Sequence, residues 1–180
     1  GFLGSEKAAN QVGILVDTTK CIGCRQCQMA CQTRNNLPAL PEKMTAPDGR
    51  PHNAVRGFLT TVTRLVDAHA PVGIVACWDN DWRPQWRVDL IPTYKTHRLV
   101  EGSAVAEESP DDLTPQVPLI REALRAVGIT RLGSPGFEAD DVMGTLARMA
   151  ERAGIETWLV TGDKDFMQLI GPLIRIYRPG

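Results

Sequence analysis

Two short motifs carry five carboxylates, spread over 28 residues: Glu138, Asp140, Asp141, Asp163 and Asp165. They belong to Gly136-Phe137-Glu138-Ala139-Asp140-Asp141 and Thr161-Gly162-Asp163-Lys164-Asp165-Phe166, around one predicted helix and one predicted strand. Like charges crowded into a semi-apolar region repel one another, and a bound cation is the usual remedy. Hard carboxylate oxygens select Mg2+ or Mn2+. Two such ions about 4 Å apart can activate a water and stabilise the leaving oxygen of a phosphodiester. Taken singly, each acid has a plainer reading as a helix cap, because Asp and Glu are favourable at helix N-termini.

The elements that must position these acids follow from hydrophobic patterning. Residues 12–16 (VGILV) form an apolar run ending in Asp17, and residues 72–78 (VGIVACW) form a second run ending in Asp79. A third run, Ile155 to Thr161, leads into Asp163. All three read as buried strands. Helices are expected over Asn53–Ala68, Thr114–Val127 and Glu138–Ala153, the last closed by Gly154. Glu138 and Asp141, three apart, would share a helical face. Short strands are expected at Ile129–Leu132 and Leu173–Tyr177, and a short helix at Phe166–Ile170. This alternation predicts an α/β fold, a Rossmann-like, mostly parallel sheet flanked by helices. In such a sheet the ligand crevice lies at the carboxyl ends of the strands. Asp17, Asp79 and Asp163 would then meet although they are far apart in sequence.

Between Asn80 and Asp112 the chain turns aromatic and basic, with Trp82, Arg83, Trp86, Arg87, Tyr94, Lys95, His97 and Arg98. Interleaved rings and cations suit a nucleic-acid backbone and its bases. They also suit a solvated loop decorated with cation–π contacts. Residues 107–112 (EESPDD) read as an acidic linker. The net charge of −1 supplies no global pull toward nucleic acid, so any such binding rests on a local patch. No apolar run approaches the roughly 18 residues of a membrane span.

Four of the five cysteines, Cys21, Cys24, Cys27 and Cys31, fall within 11 residues, and Cys77 stands apart. Such spacing favours a metal or cluster site over a disulfide framework. Three thiolates spaced C-x2-C-x2-C can wrap one iron–sulfur cubane. Zinc bound by the four thiols, or a reduced loop, are the other readings. Residues 13–38, GILVDTTKCIGCRQCQMACQTRNNLP, resemble the 4Fe-4S cluster-binding segment of ferredoxin-like electron-transfer subunits. The chain departs from that pattern in two respects. Cys31 precedes Gln32 rather than Pro, and no second cysteine run supplies a partner cluster.

Residues 44–180 resemble the 5′-3′ exonuclease family, the flap-endonuclease-like (PIN-like) nucleases that also form the N-terminal domain of bacterial DNA polymerase I. The matching segments are TAPDGRPHNAVRGF, WDNDWRPQWRVDLIPTYKTHR, GFEADDVMGTLA and TGDKDFMQL. The resemblance implies metal-dependent hydrolysis of DNA phosphodiesters at 5′ ends, flaps or branched structures. By position, it implies metal-binding and catalytic roles for Asp79, Glu138, Asp140, Asp141, Asp163 and Asp165, with Asp17 as a further metal ligand. It implies phosphate contacts for Lys95 and Arg98, and for Arg83 on the same surface.

The expected organisation is a Cys-rich segment over 1–40, fused to an exonuclease-like α/β domain over 41–180. The cysteine run stands where the family has its first helix. The family's remaining aspartates and helical DNA-binding motif would lie beyond Gly180, so the domain is expected to be truncated there. The expected protein is a cytoplasmic monomer with Mg2+ or Mn2+ and one 4Fe-4S cluster. An electron-transfer protein built on the cysteines, or a DNA-binding module without catalysis, are the alternatives.

Overall fold

A computed structural model describes residues 12–17, 46–104, 106–107 and 113–178. The strands are β1 (Val12–Asp17), β2 (Gly73–Cys77), β3 (Thr130–Leu132), β4 (Glu156–Val160) and β5 (Ile174–Tyr177). The α-helices are α1 (Asn53–His69), α2 (Gln85–Leu90), α3 (Val117–Ala126) and α4 (Ala139–Arg152). Short 3-10 turns lie at Thr96–Arg98, Thr114–Gln116 and Lys164–Leu169.

The strands form one sheet in the order β3-β2-β1-β4-β5, and every neighbouring pair is parallel. β1 is the central strand: Ile14 pairs with Ile74 of β2 on one side and Trp158 of β4 on the other. The strand order reverses between β1 and β4, which marks a doubly wound sheet with its crevice at that switch point. The expected parallel α/β sheet is thus present, and β1, which leads into the cysteine run, is its middle strand.

Side chains alternate across the strands and build two cores. Ile14, Ala76, Trp78 and Val160 face Phe58, Val62 and Leu65 of α1 and Ile120 and Leu124 of α3. Leu15, Cys77, Leu159 and Ile174 face Ala139, Val142, Met143 and Ala147 of α4. Period-two alternation on the strands and three-to-four spacing on the helices produce these faces. A sheet covered on both sides is the arrangement that all-parallel strands require.

Two local devices fix the layers. The first turn of α1 has no side-chain cap of its own. The fully buried Gln116 side chain supplies one from the other end of the layer: its Oε1 accepts from Ala54 N at 2.8 Å and Val55 N at 3.3 Å, and its Nε2 donates to Asn53 Oδ1 at 2.9 Å. The orphan N–H groups of a helix start are thereby satisfied. After β3, Gly133 passes so close to the chain after β2 that a Cβ would stand 2.8 Å from Trp78 O and 2.9 Å from the Asn80 side chain. Trp78 N also donates to Leu132 O at 2.8 Å. That contact holds the segment that carries Asp79.

The sequence reading missed one element. Residues 85–90, taken as part of an aromatic and basic loop, form α2 after Pro84. Of the acidic linker, residues 108–112 lie outside the described residues, as do the four clustered cysteines.

Substituting Gly133→Ala should cost about 1–3 kcal/mol through the clash with backbone at Trp78. Urea unfolding of the variant checks this, and an unchanged midpoint would mean that the two chains are not in contact.

Candidate active site

Because the sheet is parallel, β1, β2 and β4 end at one edge. Asp17 closes β1, Asp79 follows β2 by two residues, and Asp163 follows β4 by three. α4 begins at that same edge, since it leads back across the sheet into β4. Its N-cap is Glu138, and its first turn carries Asp140 and Asp141. Asp79 Oδ1 accepts from Ala139 N, the first helical N–H of α4, at 3.2 Å. A carboxylate there meets the positive end of the helix dipole. That hydrogen bond ties the end of β2 to the start of α4.

Glu138 is 2% exposed. A carboxylate so buried requires partners, and it has three. Arg87 Nη1 donates to its Oε1 at 2.8 Å, and the Tyr94 hydroxyl donates to the same oxygen at 2.6 Å. Lys95 Nζ bonds to the other oxygen, Oε2, and donates to Trp82 O at 2.8 Å. Arg87 also grips Asp141, with Nη1 to Oδ2 at 2.8 Å and Nη2 to Oδ1 at 2.7 Å. This fork is the geometry for which guanidinium is suited. Asp141 in turn accepts from Glu138 N at 3.0 Å, one half of a capping box. Capping and charge pairing therefore coexist at the same acids.

The electrostatics follow from this crowding. Burial pushes the Asp79 carboxyl up to about 6, Lys95 opposes the rise, and Glu138 and Asp140 add to it. Burial, and then the hydrogen bond to Glu138, hold the Tyr94 phenol well above its ordinary value. The Asp141 hydrogen bonds raise Arg87 further above its already high value. Arg87 thus stays cationic at every working pH, and Tyr94 stays a donor.

The remaining expected site residues divide. Asp163 caps the 3-10 turn after β4, accepting from Asp165 N at 2.8 Å, while its own N–H donates to Thr161 Oγ1 at 3.1 Å. Asp165 is exposed. Asp17 lies at the end of the central strand, in register with Cys77. Arg98 is part-exposed and stands 3.7 Å from Glu107, beside the antiparallel bridge of Leu99 and Glu107. Arg83 spends its guanidinium on three backbone carbonyls: Tyr94 at 2.7 Å, and Pro92 and Ala104 at 3.3 Å. It braces the segment that carries Lys95.

The structure therefore brings Asp79, Glu138, Asp140 and Asp141 together with Lys95, and sets Asp163 and Asp165 at a neighbouring strand end. Among the described residues no group of three or more His, Cys, Asp or Glu side chains is arranged to hold a metal ion. Arg87 and Lys95 supply the counter-charge instead. Arg87 and Tyr94 appeared in the sequence only as members of a basic, aromatic stretch. The available signal was the need of two acids three apart at a helix start, Glu138 and Asp141, for a fixed cation.

An all-parallel doubly wound sheet with acids gathered at its carboxyl edge defines a class of α/β protein whose site binds cations or phosphates there. The comparisons narrow this. The family model described as 5′-3′ exonuclease, N-terminal resolvase-like domain, matches residues 34–179, and the chain belongs to that family. A 4Fe-4S binding domain model matches residues 14–34, which include the last four residues of β1 and the four clustered cysteines. The chain is 50% identical over 135 residues to a 5′-3′ exonuclease of Mycobacterium tuberculosis, covering 73% of this chain and 42% of that one. It is 52% identical over 134 residues to a 5′-3′ exonuclease of Streptomyces coelicolor, covering 73% and 44%. The chain thus spans less than half the length of these relatives. Among solved structures, the T5 D15 protein co-crystallised with metal ions shares the fold, with a TM-score of 0.61 at 19% identity, over 93% of this chain and 55% of that one. A bacteriophage T5 D15 flap endonuclease complex with DNA and metal ions aligns with a TM-score of 0.57 at 13% identity, over the same shares of the two chains.

Two outcomes follow from this geometry. Arg87→Ala leaves Glu138 and Asp141 without their main cation, and should cost about 3 kcal/mol in urea unfolding; a loss under about 0.5 kcal/mol would place the pair in solvent. For Asp79 the folded pKa lies above the unfolded 3.8, so folding takes up a proton. The ionised side chain costs stability above about pH 6, and that cost vanishes below 3.8. In EDTA, Asp79→Asn should therefore stabilise the chain at pH 7.5 by about 1 kcal/mol, after allowing for partial exposure, and the gain should shrink toward pH 4. A gain that grows as the pH falls would contradict the assignment.

Proposed function

We propose that the chain is the acid-bearing core of a divalent-metal-dependent 5′-3′ exonuclease or flap endonuclease that hydrolyses DNA phosphodiester bonds. The observation that carries this reading is the convergence of Asp79, Glu138, Asp140 and Asp141 at the carboxyl edge of the sheet, with Lys95 against Glu138. Family membership and the likeness to 5′-3′ exonucleases support it. The donor atoms are all carboxylate oxygen, the kind that Mg2+ or Mn2+ takes, but Arg87 and Lys95 hold Glu138 and Asp141 here, so those oxygens would have to be released to an entering ion.

The metal ligands would come from Asp79, Glu138, Asp140, Asp141, Asp163 and Asp165, with Asp17 at the central strand. Bound there, divalent ions supply an activated water and neutralise the leaving oxygen. Asp79, its carboxyl pushed up to about 6 by burial, is mostly ionised at neutral pH and would be ready to serve as a ligand. Arg87 keeps Asp141 and one oxygen of Glu138 in place through hydrogen bonds from α2 to the start of α4. Lys95 would give up Glu138 and offer its ammonium to a phosphate oxygen, aided by the part-exposed Arg98. Arg83 holds the backbone of this segment, so its effect on phosphate is indirect. The protein acts as a cytoplasmic monomer in this reading. No helix among the described residues is long and apolar enough to cross a membrane.

The match to a 4Fe-4S binding domain favours a second, separable reading for the N-terminal segment: Cys21, Cys24, Cys27 and Cys31 bind one cluster. Anaerobic reconstitution followed by iron and sulfide analysis tests it. Bound zinc, or no metal, would refute it.

Incubation of the chain with 5′-labelled flap DNA tests the nuclease reading. Cleavage should require Mn2+, stop in EDTA, and fall at least about 10-fold in Asp141→Asn. Cleavage that survives EDTA would overturn the reading. Salt-sensitive binding without cleavage would instead identify a DNA-binding module.

A further inference from the structure

Two aromatic rings on separate elements meet beside the acids. Trp86, in α2, and Phe137, just before α4, have ring centroids 6.3 Å apart and planes tilted by 51°. Rings of this size usually bury most of their surface, yet Trp86 is 42% exposed and Phe137 45%. The indole is nonetheless fixed. Its N–H donates to Gly136 O at 3.1 Å, and the Arg87 guanidinium lies 4.5 Å from the ring centroid. Arg87 is itself locked by Asp141 and Glu138. An aromatic surface held this way loses little freedom when something stacks on it.

Its place in the chain says what that something is. Trp86 directly precedes Arg87, and Phe137 directly precedes Glu138, so the notch forms the rim of the acid site. Lys95, paired with Glu138, and the part-exposed Arg98, 3.7 Å from Glu107, are cations on the same segment for which a phosphate would compete. A pre-ordered aromatic face beside phosphate-binding cations matches a strand of nucleic acid, whose bases stack on rings while its backbone tracks the charge. An apolar protein partner would gain nothing from the adjoining Arg87, Lys95, Glu138 and Asp141 charges, which it would have to desolvate.

We propose that the Trp86–Phe137 notch holds one unpaired nucleobase of the bound DNA, next to the phosphate at the acid site. The contact is by stacking, so it tolerates any base, and it registers the strand. This inference rests on the nuclease reading.

The test measures binding in EDTA, so that cleavage plays no part. A fluorescent 5′-flap DNA is compared with copies carrying one abasic site at each nucleotide flanking the junction. The wild-type chain should bind about 10-fold more weakly when the base at one particular position is removed. Trp86→Ala should bind the intact flap about 10-fold more weakly and be indifferent to that abasic site, and Trp86→Phe should restore the dependence. Phe137→Ala, which leaves Arg87 and its stacking partner untouched, should reduce the dependence as well. General loosening of the site would weaken intact and abasic DNA equally, and that result overturns the notch. Wild-type protein that cleaves flaps with Mn2+ but binds intact and abasic flaps alike also overturns the notch, and leaves the nuclease reading standing. Wild-type protein that neither binds nor cleaves flap DNA overturns that reading, and the notch with it.

Discussion

Glu138 and Asp141 cannot share a water-poor helix start unless a cation stands between them, and the site depends on how Arg87 meets that need. One guanidinium takes both oxygens of Asp141 and one of Glu138. Arg87 belongs to α2, and its acids belong to α4. The charge pairing therefore decides where α2 sits, and with it Trp86, Tyr94 and Lys95. An apolar contact would fix the distance between the helices, but not the orientation of a fork on two carboxylates.

The same cluster explains what holds residues 81–104 in place despite their having little core. Residues 85–90 have no buried member. What holds them is polar: Arg87 on the acids, Tyr94 on Glu138, and Arg83 on the carbonyls of Tyr94, Pro92 and Ala104. Lys95 adopts a left-handed backbone with φ of 52°, and its contact with Glu138 accompanies that strain. Polar anchoring suits an element that must face a highly charged ligand. A change in charge at the site, such as the arrival of a divalent ion, would reach this segment directly.

Much of the fold was legible. Apolar runs that each lead into an aspartate gave β1, β2 and β4 and the edge where they end. The apolar face over Asn53–Ala68 marked one long helix, observed as Asn53–His69, and the start at Glu138 with the stop at Gly154 marked the other, observed as Ala139–Arg152. The acid cluster around Glu138 was legible because GFEADD combines a helix start with more carboxylates than capping needs. What escaped was long-range or short. α2 spans six residues, too few to show a period. The partner of Arg87 lies 51 residues onward, and that of Gln116 lies 62 residues back. No local pattern marks such pairs. The role of Gly133 depends on a close approach between two loops, which only the assembled sheet defines.

The nuclease chemistry requires these acids to act together on a divalent cation. The most direct measurement is thermal unfolding of the 180-residue chain in Mn2+ against EDTA, with Asp79→Asn and Asp163→Asn alongside. A ligand bound only by the folded chain raises the melting temperature by mass action. The melting temperature of the wild-type chain should climb with Mn2+ and saturate at millimolar concentration, and either substitution should blunt the rise. A melting temperature indifferent to Mn2+ would show the carboxylates to be structural acids, fully satisfied by Arg87, Lys95 and the start of α4.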